Sequence, residues 1–170
     1  MPSPIGELRV VASETGLVAI LWPAEDPGRV PGVVGATASD TALLNRITTQ
    51  LREYFGGERT AFDVPLDLRG TPFQVKAWHA LATIPFGETV SYKQQADRIG
   101  APTAVRAIGA ANGRNPASIV LPCHRVIGSN GSLTGFAGGL DAKRSLLSFE
   151  QRCASGDTRP MEPVEAGLLF

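Results

Sequence analysis

Cys123 stands between Pro122 and His124 in the run Leu121-Pro122-Cys123-His124-Arg125-Val126, and no other residue of this 170-residue chain has neighbours better suited to covalent chemistry. A thiol attacks as its thiolate, and a nearby imidazole raises the thiolate fraction by lowering a pKa that is ordinarily about 8.5. Neighbouring side chains on an extended strand point to opposite sides, so Cys123 and His124 can cooperate only across a tight turn or through a water. Pro122 restricts the backbone that leads into the cysteine. An imidazole acting as base needs a third group to orient it, and Glu150, at the end of the last expected helix, is a candidate on polarity. The plain alternative is a structural Cys–His pair, because free cysteine is usually buried and inert. Cys153 has only Arg152 as an activating neighbour and is read as inert. His79, beside Trp78, is read as helix surface.

The elements that position these groups belong to a globular chain. Its composition, 43% hydrophobic and 19% charged, is neither disordered nor membrane-like. The longest apolar runs are strand-sized, so no membrane span is expected, and the first nine residues carry no secretory pattern. The expected location is cytoplasmic. Two cysteines in a reducing compartment imply no structural disulfide, and two cysteines with two histidines at these spacings form no zinc motif. Net charge is zero, yet residues 1–70 carry six basic and nine acidic side chains whereas residues 71–150 carry eight and four. That asymmetry points to a polyanion-facing second half.

The pattern along the chain is α/β (α+β): a small N-terminal α/β lobe with a β-hairpin, then a mostly helical lobe with a helix-turn-helix. Leu8–Ala12 and Leu17–Trp22 flank the turn cluster Ser13-Glu14-Thr15-Gly16 as a hairpin. Residues 23–38 read as a loop. Asp40 is the expected cap of a helix whose apolar positions 43, 44, 47, 51, 54 and 55 run to Gly56-Gly57. Phe62–Leu68 alternates as a strand would, and Gly70-Thr71-Pro72 marks the boundary between residues 1–70 and 71–150. Thr71 and Pro72 open a helix that Pro85-Phe86-Gly87 breaks. Ser91 caps Tyr92–Ile99, and Thr103 caps Ala104–Asn112; a tight Gly-containing turn between them suggests the helix-turn-helix. Ser118–Leu121 reads as a short buried strand into the cysteine, Gly128–Gly139 as a loop, Asp141 as the cap of a helix to Glu150, and 151–170 as a loose tail.

The run Asn115-Pro116-Ala117-Ser118-Ile119-Val120-Leu121-Pro122-Cys123-His124-Arg125-Val126-Ile127 resembles the active-site signature of the O6-alkylguanine-DNA alkyltransferases. Phe86–Tyr92, Arg106–Asn112, Leu133–Leu140 and Lys143–Glu150 match the family's flanking blocks in order, while the first lobe matches more loosely. The resemblance implies direct reversal of O6-alkylguanine, and of O4-alkylthymine, by irreversible transfer of the alkyl group to Cys123, once per molecule and with no cofactor. It implies His124 as base through a water, Glu150 holding the imidazole, Tyr92 donating to the leaving guanine, and Asn115 bracing the turn. It implies a substrate pocket of Val126, Gly135, Phe136, Ala137 and Tyr92.

The implied partner is double-stranded DNA, bound by a monomer through the minor groove with the damaged base flipped out. Arg106 matches the intercalating arginine, and Ala104, Ala107 and Ala110 allow close approach; Arg114 is expected to add a phosphate contact, and Arg125 is counted with the DNA-binding residues. Departures from the family are Phe136 in place of a tyrosine, Ala137 after it, Arg114 in place of a smaller residue, and absent N-terminal metal ligands, so no metal is expected. Two alternatives stand beside this reading: a non-catalytic alkyltransferase-like damage-recognition protein, which generally lacks the cysteine, and a Cys-His-Glu redox or hydrolytic protein. The second leaves Tyr92, Arg106 and the helix-turn-helix unexplained. A plain helix-turn-helix regulator leaves Cys123 and His124 unexplained.

Overall fold

The computed structural model describes residues 1–23, 25–31, 33 and 41–164. The N-terminal part opens with a two-residue hairpin, β1 (Pro2–Ser3) against β2 (Gly6–Glu7), followed by the expected larger one, β3 (Arg9–Ala12) against β4 (Leu17–Leu21). All of β4 is buried because it is covered on both faces. Leu17 and Ile20 face the main core, and Val18, Ala19 and Leu21 join Val11, Val30 and Val33 in a smaller cluster. Helix α1 (Thr41–Phe55) buries Leu43, Ile47, Leu51, Tyr54 and Phe55, spaced as one helical stripe. It ends where Gly57 takes a φ of +79°, its amide donating to Tyr54 O at 3.0 Å. The expected cap, Asp40, lies outside the described residues.

Residues 62–68 do not form the expected strand. Pro65 has no N–H to give to a ladder, and pairing is limited to an isolated bridge in which Leu17 donates to Pro65 O and accepts from the Asp67 amide. Helix α2 (Pro72–Leu81) begins as expected, Thr71 and Gln74 closing a capping box. It stops at Leu81, before Pro85, and Ile84 is buried from the following turn.

The helix-turn-helix consists of α3 (Tyr92–Arg98), capped by Ser91 with Gln94, and α4 (Val105–Gly113). The turn between them uses Gly100 at a φ of +72°. Thr103 is not the cap of α4: Ala104 holds that position without a side-chain bond. Ala77, Ala96, Ile99, Ile108 and Ala111 form the packed centre of these three helices. Gln95 and Asn112 exchange amide hydrogen bonds of 3.1 and 2.7 Å across it.

Beyond α4 the structure departs from the expected Ser118–Leu121 strand. Ala117–Leu121 is a tight turn, its Leu121 amide donating to Ala117 O, with Ile119 at a φ of +78°. A 3₁₀ helix, Cys123–Arg125, follows directly, and then β6 (Val126–Ile127) pairs in parallel with β5 (Val90–Ser91). Helix α5 (Gly139–Ala154) has Gly138 rather than Asp141 at its N-cap position and runs one turn past Glu150. The segment beyond it packs back on the N-terminal part: Met161 is buried, its amide donating to Phe55 O, and the Val164 amide donates to Pro4 O.

One hydrophobic core spans both halves. Leu17, Ile20, Leu51 and Tyr54 from the first 70 residues pack in the same cluster as Trp78, Val126, Leu146 and Phe149.

Candidate active site

The backbone delivers Cys123 by a sequence of constraints. Asn115 braces the turn from inside, its Nδ2 donating to Leu121 O at 2.7 Å and its Oδ1 accepting from the Ala117 amide at 3.0 Å. The Ile20 amide of β4 donates to Pro116 O at 2.8 Å, so the first lobe also fixes this turn. Ile119 holds a positive φ that a β-branched residue rarely adopts; its completely buried side chain offsets that strain. Cys123 and His124 then occupy successive positions of the 3₁₀ turn, which replaces the extended chain that would have separated them.

His124 is fully buried. Its Nε2 lies 2.7 Å from Glu150 Oε1, and its Nδ1 has no hydrogen-bond partner among the described groups. The carboxylate of Glu150 is completely enclosed and accepts from Arg125 Nε at 2.8 Å, Arg125 Nη2 at 3.0 Å, Tyr54 Oη at 2.7 Å and the Gly87 amide at 3.2 Å. Burial alone would raise its pKa; His124 and Arg125 outweigh burial and hold the carboxyl far below the usual range.

Cys123 is 6% exposed. Burial pushes its thiol above the ordinary value, although Asn115, Ser118 and the charges of Lys143 and Arg29 pull the other way. The low-dielectric surrounding thus favours the neutral thiol over the charged thiolate, against the lowering expected from an adjacent imidazole. The thiolate has to be generated as the proton leaves.

Tyr92 opens α3 immediately after β5, so the β5–β6 pairing sets it beside the cysteine loop. Its hydroxyl pairs with Thr134, donating to the carbonyl at 3.3 Å and accepting from Oγ1 at 3.2 Å. Tyr92, Thr134, Gly135, Phe136 and Ala137 line one wall of an open groove of about 560 Å³; Val105, Arg106, Gly109 and Gly113 of α4 line the other. Phe136 joins this groove to the buried site, its ring 6.4 Å from that of His124 and edge-on to Trp22 at 5.1 Å. Arg106, Ala107, Ala110 and Arg114 are exposed and Ala104 is half-buried.

Two expected placements fail. Arg125 is 6% exposed and spends its guanidinium on Glu150 and Ile84 O, so it is an interior ion-pair partner and offers nothing to a phosphate. Val126 is completely buried in the core and paired with Val90, so it does not line the groove.

Three contributors went unassigned in the sequence. Lys143 is fully buried, donating to Val126 O at 2.7 Å and Thr134 O at 2.9 Å, which ties the groove wall to the strand after the cysteine. Burial lowers its pKa. Its signal was legible: Lys143, Leu146, Leu147 and Glu150 fall on one helical stripe, where a lysine is out of place unless it has work to do. Arg29 donates to Gly113 O and Asn115 O at 3.2 Å, closing the C-terminal end of α4 from the first lobe. Tyr54 reaches Glu150 from α1. Neither left a sequence signal that separates it from ordinary surface or core.

Among the described residues no group of three or more His, Cys, Asp or Glu side chains is placed to hold a metal, and no helix is long and apolar enough to cross a membrane. The family description "6-O-methylguanine DNA methyltransferase, DNA binding domain" matches residues 72–152, and "6-O-methylguanine DNA methyltransferase, ribonuclease-like domain" matches residues 1–68.

The chain belongs to the 6-O-methylguanine DNA methyltransferase family. It is 48% identical over 157 residues to the methylated-DNA–protein-cysteine methyltransferase of Mycobacterium tuberculosis strain H37Rv, covering 91% of this chain and 92% of that protein. It is 44% identical over 151 residues to the constitutive methylated-DNA–protein-cysteine methyltransferase of Bacillus subtilis, covering 88% and 92%. Among solved structures it is similar to Mycobacterium tuberculosis OGT in complex with DNA, with a TM-score of 0.81, 46% identity, and coverage of 92% and 94%. In this 6-O-methylguanine DNA methyltransferase family member the buried Cys–His–Glu cluster and the open groove beside the second helix of the helix-turn-helix are joined through Phe136 and Lys143.

Proposed function

We propose that this protein repairs DNA by direct alkyl transfer, taking the alkyl group of O6-alkylguanine onto its own Cys123. The observation that carries the mechanism is the orientation of His124: Nε2 is committed to Glu150, and the unpaired Nδ1 is left as the acceptor for the thiol proton. That proton passes to His124 through one water as Sγ attacks the alkyl carbon. The S–C bond forms while the C–O6 bond breaks, and the electron pair stays on the guanine oxygen. Tyr92, at the groove wall, supplies a hydrogen bond to the base as its ring gains electron density. The thioether has no route back to thiol, so each molecule reacts once.

DNA is the partner. The alkylated position is inaccessible in a stacked duplex, so the base is flipped into the groove, with Arg106 filling the gap from the opposite wall and Ala107 and Ala110 permitting close approach in the minor groove. Phe136 has no hydroxyl to offer the base, and backbone N–H groups of its loop take that role. The protein acts as a monomer.

Intact-protein mass spectrometry after incubation with an O6-methylguanine duplex tests the reading. One added methyl per chain, on the peptide containing Cys123, is the expected result; Cys123→Ala should take up none and still bind the duplex. Arg106→Ala should slow reaction with duplex by roughly tenfold or more, the cost of losing one intercalating side chain, and leave reaction with free O6-methylguanine nearly unchanged. A duplex that binds without methyl gain by the wild-type chain returns the non-catalytic damage-recognition reading.

A further inference from the structure

The carboxylate that holds His124 receives a hydrogen bond that the cysteine loop does not supply. Tyr54, fourteen residues into α1, places its hydroxyl 2.7 Å from Glu150 Oε1, the same oxygen that lies 2.7 Å from His124 Nε2. Tyr54 is completely buried. Its ring is fixed by edge contacts with Phe55, Phe86 and Phe149 and by a tilted contact with Phe62, at centroid distances of 5.3 to 6.1 Å. The hydroxyl therefore reaches the carboxylate with little conformational freedom left to lose. Its direction is fixed as well. Burial first, then the charge and hydrogen bond of Glu150, keep the phenol protonated, so Tyr54 donates and the carboxylate oxygen accepts.

We propose that Tyr54 is a positioning residue for alkyl transfer: from the N-terminal lobe, its hydroxyl fixes and partly neutralises the Glu150 oxygen that orients His124, and so sets how readily the imidazole takes the thiol proton. This rests on the alkyl-transfer reading above. Among the described residues, the polar groups around this carboxylate and its partners are few. Helix α5 contributes Glu150 itself and, farther off, the Cys153 thiol; the 3₁₀ turn contributes His124 and Arg125; the loop after α2 contributes only the Gly87 amide and Ile84 carbonyl. Three donors, from Tyr54, His124 and Arg125, thus compete for one oxygen. Removing the neutral one leaves more negative charge opposite the imidazole and frees the carboxylate oxygen to move.

The test is single-turnover methyl transfer to Cys123 by the full chain across a range of pH, comparing wild type, Tyr54→Phe and Leu51→Val. Phenylalanine keeps the aromatic packing and deletes only the donor. The expected result for Y54F is a rate reduced about threefold to tenfold, the scale of one hydrogen bond, together with a displaced low-pH limb of the profile. L51V loosens the same helix one turn away and should leave the profile where it is. A Y54F profile superposable on wild type overturns the proposal, and so does a lowered rate with an unmoved limb, which marks a packing role alone. Absence of methyl on Cys123 in the wild-type chain overturns the alkyl-transfer reading instead.

Discussion

The side chain that decides the character of the site is Arg125. Its guanidinium and the Glu150 carboxylate are both nearly inaccessible, and the ion pair is completed by hydrogen bonds to Ile84 O, Tyr54 and His124. Deleting one member of such a pair leaves a charge buried without compensation, so Arg125→Met should destabilise the protein by about 3–5 kcal/mol in urea denaturation at pH 7. The pair also makes stability depend on pH. The Glu150 pKa is depressed on folding, despite burial, mainly by His124 and Arg125. Its contribution is thus fully present above the unfolded value of about 4.3 and is lost as pH falls toward the folded value. Wild-type stability should decline below about pH 4.3, and the decline should be shallower in Arg125→Met. The residues singled out in the sequence, Cys123, His124, Glu150 and Asn115, are brought together by the fold, but burial raises the thiol pKa and Arg125 faces inward. Charge and adjacency are visible in a sequence, whereas desolvation and side-chain direction depend on what packs above them.

Among the elements, the turn 117–121 shows how opposing effects settle a conformation. The positive φ of Ile119 costs on the order of 1–2 kcal/mol for a residue with a Cβ. Replacing it by glycine relieves that cost but removes a fully buried side chain, worth about 2–5 kcal/mol. Burial wins, so Ile119→Gly should lower stability by roughly 1–3 kcal/mol, measured as a shift in denaturation midpoint. Unchanged stability would show that backbone strain cancels everything the side chain gains by burial. The apolar run Ser118–Leu121 reads as a strand for the same reason that the turn is stable: its side chains are buried. Periodicity cannot separate a buried strand from a buried turn over so short a run. Elements with their own local chemistry were legible, such as α2 with Thr71, Pro72 and Gln74, and α3 with Ser91 and Gln94. Those that depend on distant partners, such as the Phe62–Leu68 segment with its single bridge to Leu17 and the start of α5 without a side-chain cap, were not.

For the whole molecule, the continuous core matters more than the change in composition near residue 70. Tyr54, Phe62, Phe86 and Phe149 pack across that boundary, and the chain after α5 returns to bond with Phe55 and Pro4. The protein should therefore unfold in one calorimetric transition whose van't Hoff and calorimetric enthalpies agree; two resolved transitions would mean that the halves are independent. Recombination has a corresponding consequence. A crossover at residue 70 between this chain and a distant relative would transmit the cysteine, histidine, glutamate and the second helix of the helix-turn-helix as an intact block. The hybrid would still inherit its tyrosine donor and the strand amide that grips Pro116 from the other parent, so compatible ancestry of the two halves is a condition for passing on the reactive centre.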